Sequence, residues 1–338
     1  MTSKKFFFIF LLFFGSQINF AQLSLRLNLE GGYYRSISQN SAEPVQKDAT
    51  VRLDGEIGYK YKNDNNTLSL KLRARPEIYG LSNNLKILKL RAVGNYYSGN
   101  STFNWGFNLI GQKNNYSGRN INLNFQDFIF LLESLIKIDN NFSLRSNLGY
   151  GYQRVSDDIN QKMNLVFLDA EIIQRFFRNA KLGYGIYSER FFLNNIYKVE
   201  DADNKGWRLG PHLSFDYLKS FIVNFDYRYL FHISNVTQSP SFEHWIRLVA
   251  GKLIAENWSV FVLTDYYFRK YTIKKYLESP YLYLYTPINE DNRIYLKLAY
   301  SISEIFEVYL KAGYFRENLF NNYSFAGWNF LIGFEFEK

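Results

Sequence analysis

The chain has 338 residues, a formal net charge of +9 at pH 7 and no cysteine, and 19% of its residues are aromatic. The lack of cysteine excludes a disulfide scaffold and a thiolate metal site. After residue 22, no apolar run approaches the roughly 18 residues that a transmembrane helix requires. No linker-like segment divides the chain, so the composition predicts a single domain.

The N-terminus has the features of a secretory signal peptide. Lys4 and Lys5 precede the short apolar run Phe6–Phe14, and Ala21 provides the small residue needed before a cleaved bond. We expect residues 1–21 to be the signal peptide and residues 22–338 to form the mature domain. In an exported chain, the positive charge indicates contact with anionic lipid headgroups or a basic lumen lining rather than with nucleic acid.

Sixteen strand-like segments of about 10 to 14 residues follow, the length of a tilted transmembrane strand. Apolar and polar residues alternate in them, which places apolar side chains on one face of each strand and polar side chains on the other. The alternation is clearest in Thr50–Lys60, Thr67–Glu77, Phe221–His232, Asn292–Ser301 and the strand that begins at Phe306.

The last segment, Ser324–Lys338, shows the same pattern with aromatic residues. Gly327, Asn329, Gly333 and Glu335 occupy the opposite face of this strand. An apolar row that continues to the C-terminus of an exported chain predicts a strand that faces lipid. The row consists of Trp328, Phe330, Ile332, Phe334 and Phe336.

Short turns alternate with longer links along the chain, a pattern typical of outer-membrane barrels. We therefore predict both termini on the periplasmic side, the long links outside the cell and an even number of strands. Sixteen strands are predicted, or fourteen if a weak segment fails to pair. The long links are expected at Ser38–Ala49, Gly80–Asn84, Asn114–Asn120, Ser156–Asn160, Leu193–Lys205, Ser234–Ser241, Tyr271–Asp291 and Asn318–Tyr323.

The signal peptide, the rhythm of hairpins and the final aromatic strand together resemble those of gram-negative outer-membrane β-barrel proteins over the whole mature sequence. The resemblance implies an all-β, antiparallel, up-and-down transmembrane barrel in the outer membrane. It also implies outer-membrane lipid and lipopolysaccharide as partners, with other outer-membrane or surface proteins as further candidates. Members of this class typically end on the aromatic residue, whereas here Glu337 and Lys338 follow Phe336.

The polar faces carry two sets of charges that we predict to line the lumen and to face each other across it. A basic wall would favour anionic solutes. Alternatively, the charges pair across neighbouring strands and stiffen or fill the interior. The basic wall comprises Lys71, Arg73, Arg75, Lys89 and Arg91, and the acidic side comprises Asp169, Glu171, Glu189, Asp216 and Asp226.

Aromatic residues near the outer ends of strands are predicted to lie at the membrane interface, where the ring is apolar and its polar edge stays wet. Four other tyrosines share the polar face and could fill the lumen. The interface set is Tyr33, Tyr79, Tyr96, Tyr152, Phe191, Tyr266, Phe268 and Tyr314, and the lumen set is Tyr187, Tyr267, Tyr295 and Tyr309.

Three features bear on chemistry. His212-x-Ser214 resembles the His-x-Ser pair of outer-membrane phospholipases on two residues only, and it faces the lumen rather than lipid, so we expect no enzyme. The acidic loop 201–206 has the start of a calcium loop but lacks its later ligands. The link Tyr271–Asp291 is either a strand extension beyond the membrane or a candidate partner loop. Its tyrosines suit partner, glycan or pore-constriction roles: Tyr276, Tyr281, Tyr283 and Tyr285.

Two functions follow from these expectations. The first is a passive channel for small, preferentially anionic solutes, because about sixteen strands leave room for an aqueous passage. The second is a non-conducting barrel that serves as a subunit or scaffold of an outer-membrane secretion or assembly complex. Neither hypothesis requires a cofactor or a metal.

Overall fold

The computed structural model describes residues 21–38, 46–80, 85–118, 121–156, 161–194, 205–234, 240–272, 292–320 and 323–338. The first strand begins at Ala21, one residue before the expected mature start. Residues 1–20 lie outside the described ranges, so the signal peptide stays a prediction. Residues 201–204 of the acidic loop 201–206 and the four tyrosines of the partner loop also lie outside these ranges, so both features stay predictions.

Sixteen strands make up the described structure, and they range from 11 residues in the shortest to 18 in the longest. The predicted number of sixteen is therefore confirmed. In chain order the strands are β1 Ala21–Ser38, β2 Gln46–Lys62, β3 Asn66–Tyr79, β4 Leu85–Gly99, β5 Phe103–Gly118, β6 Ile121–Lys137, β7 Phe142–Ser156, β8 Gln161–Phe177, β9 Ala180–Asn194, β10 Lys205–Leu218, β11 Ile222–Ser234, β12 Ser241–Ala255, β13 Trp258–Tyr271, β14 Arg293–Ser303, β15 Phe306–Phe320 and β16 Tyr323–Glu337.

Each strand pairs antiparallel with its neighbours in the chain, and β1 pairs with β16 to close the barrel. In the closing pair, Leu29 lies opposite Phe334 and Tyr33 opposite Phe330. Closure leaves no free sheet edge, so backbone N–H and C=O groups find partners within the sheet, as a structure in lipid requires. The all-β, antiparallel, up-and-down barrel is confirmed.

The two ends of the barrel differ in their connections. We call them the short-turn end, where β1 begins and β16 ends, and the long-link end. Two of the eight predicted long links are reduced to two residues, because β5 and β6 extend to Gly118 and Ile121 and β15 and β16 extend to Phe320 and Tyr323. Polar residues there continue the strand ladder, since a ladder can extend into water beyond the membrane.

Three of the short turns are built in the same way. The side-chain oxygen of the first turn residue accepts the backbone N–H three residues later, which holds the chain in a tight reversal. Asn63 accepts from Asn66 at 2.7 Å, Asn100 from Phe103 at 2.8 Å and Asp139 from Phe142 at 2.7 Å.

The outer wall is apolar. In β16, Trp328, Phe330 and Ile332 are 56%, 59% and 56% exposed, whereas Asn329 between them is fully buried inside. Large apolar side chains exposed on a closed barrel are the lipid-facing band of a transmembrane protein. Among the described residues, no helix is long and apolar enough to cross a membrane.

The lipid-facing assignment makes a depth-dependent prediction. Leu168, at the middle of β8, points outward. Leu168→Arg should lower the free energy of unfolding by about 2 to 4 kcal/mol, because arginine meets hydrocarbon there. Leu182→Arg is the control, since Leu182 lies on the same wall but only two residues from the start of β9 and should cost about 0 to 1 kcal/mol. Urea unfolding in lipid vesicles measures both, and equal losses would contradict the assignment.

Candidate functional site

The interior of the barrel is the candidate functional site, because the chain concentrates its buried charges there. All five residues of the predicted basic wall lie on the interior face of β3 and β4. The ion pairs of this wall include Lys71 with Glu56 at 3.1 Å, Arg73 with Asp54 and Arg75 with Glu77 at 2.9 Å. The interior face of β4 carries Lys89 and Arg91 and contributes no carboxylate among its described residues.

The first interior network centres on Glu77 and contains Glu30, Arg52, Arg75, Glu77 and Arg293. The Glu77 carboxylate is buried and receives three guanidinium groups, at 2.9 Å from Arg75, 3.3 Å from Arg52 and 3.1 Å from Arg293. Arg52 also bonds Glu30 at 2.7 Å. Three cations on one carboxylate offset its desolvation, which a single partner would not do.

The pair between Glu77 and Arg293 crosses the lumen. Glu77 lies on β3 and Arg293 on β14, five strand positions apart around the barrel. In a circular barrel with strands about 4.8 Å apart, such strands would be separated by at least about 20 Å. An arginine and a glutamate side chain cannot bridge that gap, so the barrel is not circular there and the wall between these strands curves more sharply.

A second network surrounds His212 and contains Asp169, His212, Asp226 and Arg228. Both ring nitrogens of His212 lie 2.8 Å from a carboxylate oxygen, Nδ1 from Asp169 and Nε2 from Asp226. Arg228 pairs with the same two carboxylates, at 2.9 Å and 3.2 Å. Ser214 donates to Glu171 at 2.8 Å rather than to His212. The histidine is therefore held as a bridge between acids and does not contact the serine.

A third network lies nearer the long-link end and contains Glu189, Arg208, His232, Glu243 and Arg269. Arg208 pairs with Glu243 at 3.0 Å, and Glu243 also receives Arg269 at 2.6 Å and His232 at 2.7 Å. The network joins β9 to β13. Of the predicted acidic side, Asp169, Glu171, Glu189 and Asp226 thus lie inside and pair with cations or histidine, and Asp216 accepts a hydrogen bond from Asn224 at 2.6 Å.

An apolar cluster, which we call the seal, lies inside the barrel near the long-link end. It includes residues of β1 and β9, which lie eight positions apart and so on opposite sides of the barrel. The ring of Tyr79 packs 5.5 Å from Tyr34 and 5.7 Å from Phe315, and Arg208 lies over Phe191 at 5.3 Å. The seal consists of Tyr34, Tyr79, Ile87, Tyr116, Met163, Leu165, Phe191, Leu193 and Phe315.

The seal corrects part of the predicted interface belt. Tyr79 and Phe191 point into the barrel, because they share strand parity with the interior carboxylates Glu77 and Glu189. Tyr96 lies near the short-turn end of β4 rather than at the outer end. The parity of a residue in its strand fixes whether its side chain points inward or outward, whereas its position along the strand fixes only its depth in the membrane. A residue with inward parity therefore does not reach the outer interface, whatever its depth.

The remaining aromatic predictions agree with the structure. Tyr33, Tyr152, Tyr266, Phe268 and Tyr314 lie on the outer wall, where Phe268 stacks on His244 at 4.3 Å. The four tyrosines predicted for the lumen are all buried inside. Their exposed fractions are 5% for Tyr187, 5% for Tyr267, 6% for Tyr295 and 1% for Tyr309.

Along two strands, the exposure of interior side chains falls toward the seal. Along β3, the exposed fraction drops from 52% at Lys71 to 20% at Arg73 and 5% at Arg75. On β11 it drops from 19% at Arg228 to 0% at His232. On β15, by contrast, Tyr309 is 1% exposed near the short-turn end. Beside β3 and β11, the interior is therefore a polar vestibule that opens at the short-turn end and narrows toward the long-link end.

Sequence reasoning missed the seal as a unit. Its members are apolar or aromatic residues on the interior parity within a few residues of the long links, and this signal is present in the sequence. What the sequence could not provide is that they meet across the lumen.

The Glu77 network predicts a stability difference between two interior carboxylates. Glu77→Gln should lower the free energy of unfolding by about 3 to 5 kcal/mol, because it leaves three buried arginines without their shared anion. Glu56→Gln is the matched control, since Glu56 pairs with the half-exposed Lys71 and should lose less than about 1 kcal/mol. Urea unfolding in vesicles checks both. Similar small losses in the two variants would show that the network does not stabilise the barrel.

No protein-family model matches the sequence, and no curated protein matches it. Among solved structures, the chain is similar to a TodX deltaS2S3 mutant monoaromatic hydrocarbon channel at 11% identity, with 95% of this chain and 90% of that chain covered and a TM-score of 0.44. It is similar to CdiB from Acinetobacter baumannii at 10% identity, covering 94% of this chain and 60% of that chain, with a TM-score of 0.49. A Pseudomonas aeruginosa FadL homologue is 8% identical, with 94% and 89% covered and a TM-score of 0.39.

Identities and TM-scores this low say nothing about what the chain binds or moves. The class follows from its own geometry, a closed sixteen-stranded barrel with an apolar outer wall and a polar interior. The chain is a transmembrane β-barrel, the architecture of outer-membrane proteins.

Proposed function

We propose that the protein is a passive channel for small solutes, closed by the seal in the state described here. The observation that carries the proposal is the fall in exposure along the interior. A polar, charged vestibule that narrows to an apolar constriction is the arrangement of a pore that gates by excluding water. A barrel whose only role was mechanical would gain nothing from a hydrated vestibule that reaches most of the way through.

The proposed opening is a separation of the two sides of the seal. Its members interact through ring contacts and apolar packing. A modest shift of the wall between β14 and β3 would disrupt these contacts. The buried Glu77 and Glu243 networks lie beside the seal and hold the wall in place through ion pairs. Solutes would then pass along the paired charges of β3 and β4.

Removing the seal tests the channel directly. Tyr79→Ala combined with Phe191→Ala should raise the open probability in planar bilayers at least about tenfold over the wild type, which should show only rare openings, because the large rings that exclude water are gone. The control is Ile78→Ala combined with Phe192→Ala, which truncates the neighbouring side chains on the outer wall and should leave conductance unchanged. Folding is verified by heat-modifiable migration, and Phe191→Ala alone serves if the double variant does not fold. A folded seal variant without conductance would refute the proposal.

We further propose that the open pore prefers anions. The support is β4, whose interior face carries Lys89 and Arg91 without a carboxylate of its own. With Lys71, Arg73 and Arg75 of β3, the interior faces of these two strands carry five cations and one carboxylate, Glu77. The solute is thus expected to be small and anionic, with a modest preference over cations.

A charge reversal on β4 tests this preference in the seal variant. Lys89→Glu combined with Arg91→Glu should move the reversal potential in a salt gradient toward cation preference, because rings of side-chain charge set pore selectivity. Lys113→Glu, on the outer wall of the next strand, should leave the reversal potential unchanged. A lower melting temperature with an unchanged reversal potential would mean that the β4 cations are structural.

The same seal favours a second candidate function, a non-conducting barrel that acts as a subunit or scaffold of an outer-membrane secretion or assembly complex. Cross-lumen contacts such as Glu77 to Arg293 stiffen the barrel as well as close it. Purification in mild detergent followed by mass spectrometry separates the two. A stoichiometric partner, together with wild-type protein that never opens at any voltage, would favour the scaffold. We propose no catalytic role for His212, whose ring nitrogens are both occupied by carboxylates.

A further inference from the structure

The charges on the outer wall are of one sign. In the described strands, every charged residue at an outward position is lysine or arginine, and no aspartate or glutamate occupies one. Lys252 alone lies near the short-turn end. The others lie toward the long-link ends of their strands: Arg35, Lys47, Lys86, Lys113, Arg154, Lys162, Arg190, Lys205, Lys270 and Arg316.

Three of these cations form one row with an amide. Lys113 lies opposite Gln126, Gln126 opposite Arg154, and Arg154 opposite Lys162, across four consecutive strands from β5 to β8. Neighbouring strands are about 4.8 Å apart, so the row spans about 15 Å. Within the described part of the chain, Lys113 and Lys162 form no ion pair and the Gln126 amide forms no hydrogen bond. Polar groups at the edge of the lipid-facing wall require a partner from outside the chain.

A groove runs along the outer wall beside this row. Its volume is about 850 Å³, and it reaches from the outward leucines of β1 to Tyr152 on β7, with Lys113 and Gln126 among its lining residues. The floor of the groove consists of small outward residues in register, Gly55 beside Ala74 and Ala92 beside Gly111. The rims are formed by larger apolar side chains: Leu27, Ile57, Leu72, Leu90 and Phe128.

We propose that the groove and the row together bind one lipopolysaccharide molecule, with an acyl chain in the groove and the phosphates on the row. The groove faces hydrocarbon, so its occupant is a lipid. The row offers only cations and an amide, so the headgroup is anionic and carries acceptor oxygens, as phosphate does. Several cations along about 15 Å suit a headgroup with more than one phosphate.

The choice of lipopolysaccharide over a phospholipid depends on where the row lies. It is near the long-link end, which the even strand number and the exported N-terminus place outside the cell. Lipopolysaccharide forms the outer leaflet there. The proposal is independent of whether the barrel conducts, and it depends on the predicted orientation of the barrel.

The charge part of the site is tested with purified, delipidated protein and three probes: diphosphorylated lipid A, dephosphorylated lipid A and phosphatidylglycerol. Binding is measured by native mass spectrometry in detergent. Lys113→Gln combined with Arg154→Gln should weaken lipid A binding about 30-fold, since each basic residue near an anionic lipid surface contributes about a factor of five. Lys252→Gln, the outward lysine at the opposite end, should change nothing.

The groove is tested without altering any charge. A side chain at Gly111 would project into open space, because a Cβ there meets nothing within 4 Å. Gly111→Leu should therefore fill the groove and lower lipid A binding at least about fivefold with the fold intact. Gly31→Leu is the matched control, because Gly31 is also outward and also meets nothing within 4 Å, but it lies outside the groove.

Three results would overturn the proposal. If dephosphorylated lipid A binds as tightly as the phosphorylated form, the row does not bind phosphate. Phosphatidylglycerol binding as tightly as lipid A, with the same loss in the double variant, would identify a phospholipid instead. Equal binding by Gly111→Leu and Gly31→Leu would exclude the groove.

Discussion

The structure depends on one constraint: in lipid, every backbone N–H and C=O must find its partner within the protein. The pairing of β1 with β16 satisfies the last open edge, and the register of that pair fixes which residues of both strands face outward. Side chains alternate with a period of two, and neighbouring strands pair in register. The outward positions of one strand therefore fix the outward positions of the next strand. The apolar wall and the polar interior are therefore two consequences of the same closure.

The charges inside the barrel lose contact with water, and the ion-pair networks offset this desolvation. A buried charge is tolerated only when other groups offset its desolvation. Glu77 is surrounded by three arginines, and His212 lies between two aspartates. The interior therefore carries both signs of charge, with pairing tightest where exposure is lowest. The outer wall follows the opposite rule, since its few cations lie where water and headgroups can solvate them.

Much of this arrangement could be predicted from local pattern. Strand parity placed the five basic-wall residues and the four lumen tyrosines inside, and the hairpin rhythm predicted sixteen strands. Depth and parity predict different positions for two aromatic residues. Depth alone predicts an interface position for Tyr79 and Phe191, whereas their parity with Glu77 and Glu189 directs them inward. Asn-rich segments predict links, whereas in the structure they continue the ladders of β5, β6 and β15.

The class of the fold and the face of each side chain follow from the period of two between neighbouring residues, and the number of strands follows from the rhythm of hairpins. Contacts between distant strands, in contrast, form only in the closed barrel. Glu77 and Arg293 are 216 residues apart and five strands apart around the barrel, yet they share an ion pair. That contact, the seal and the outer groove depend on how sharply the wall bends between strands. Curvature is set by the packing of all strands together, and no pattern within one strand encodes it.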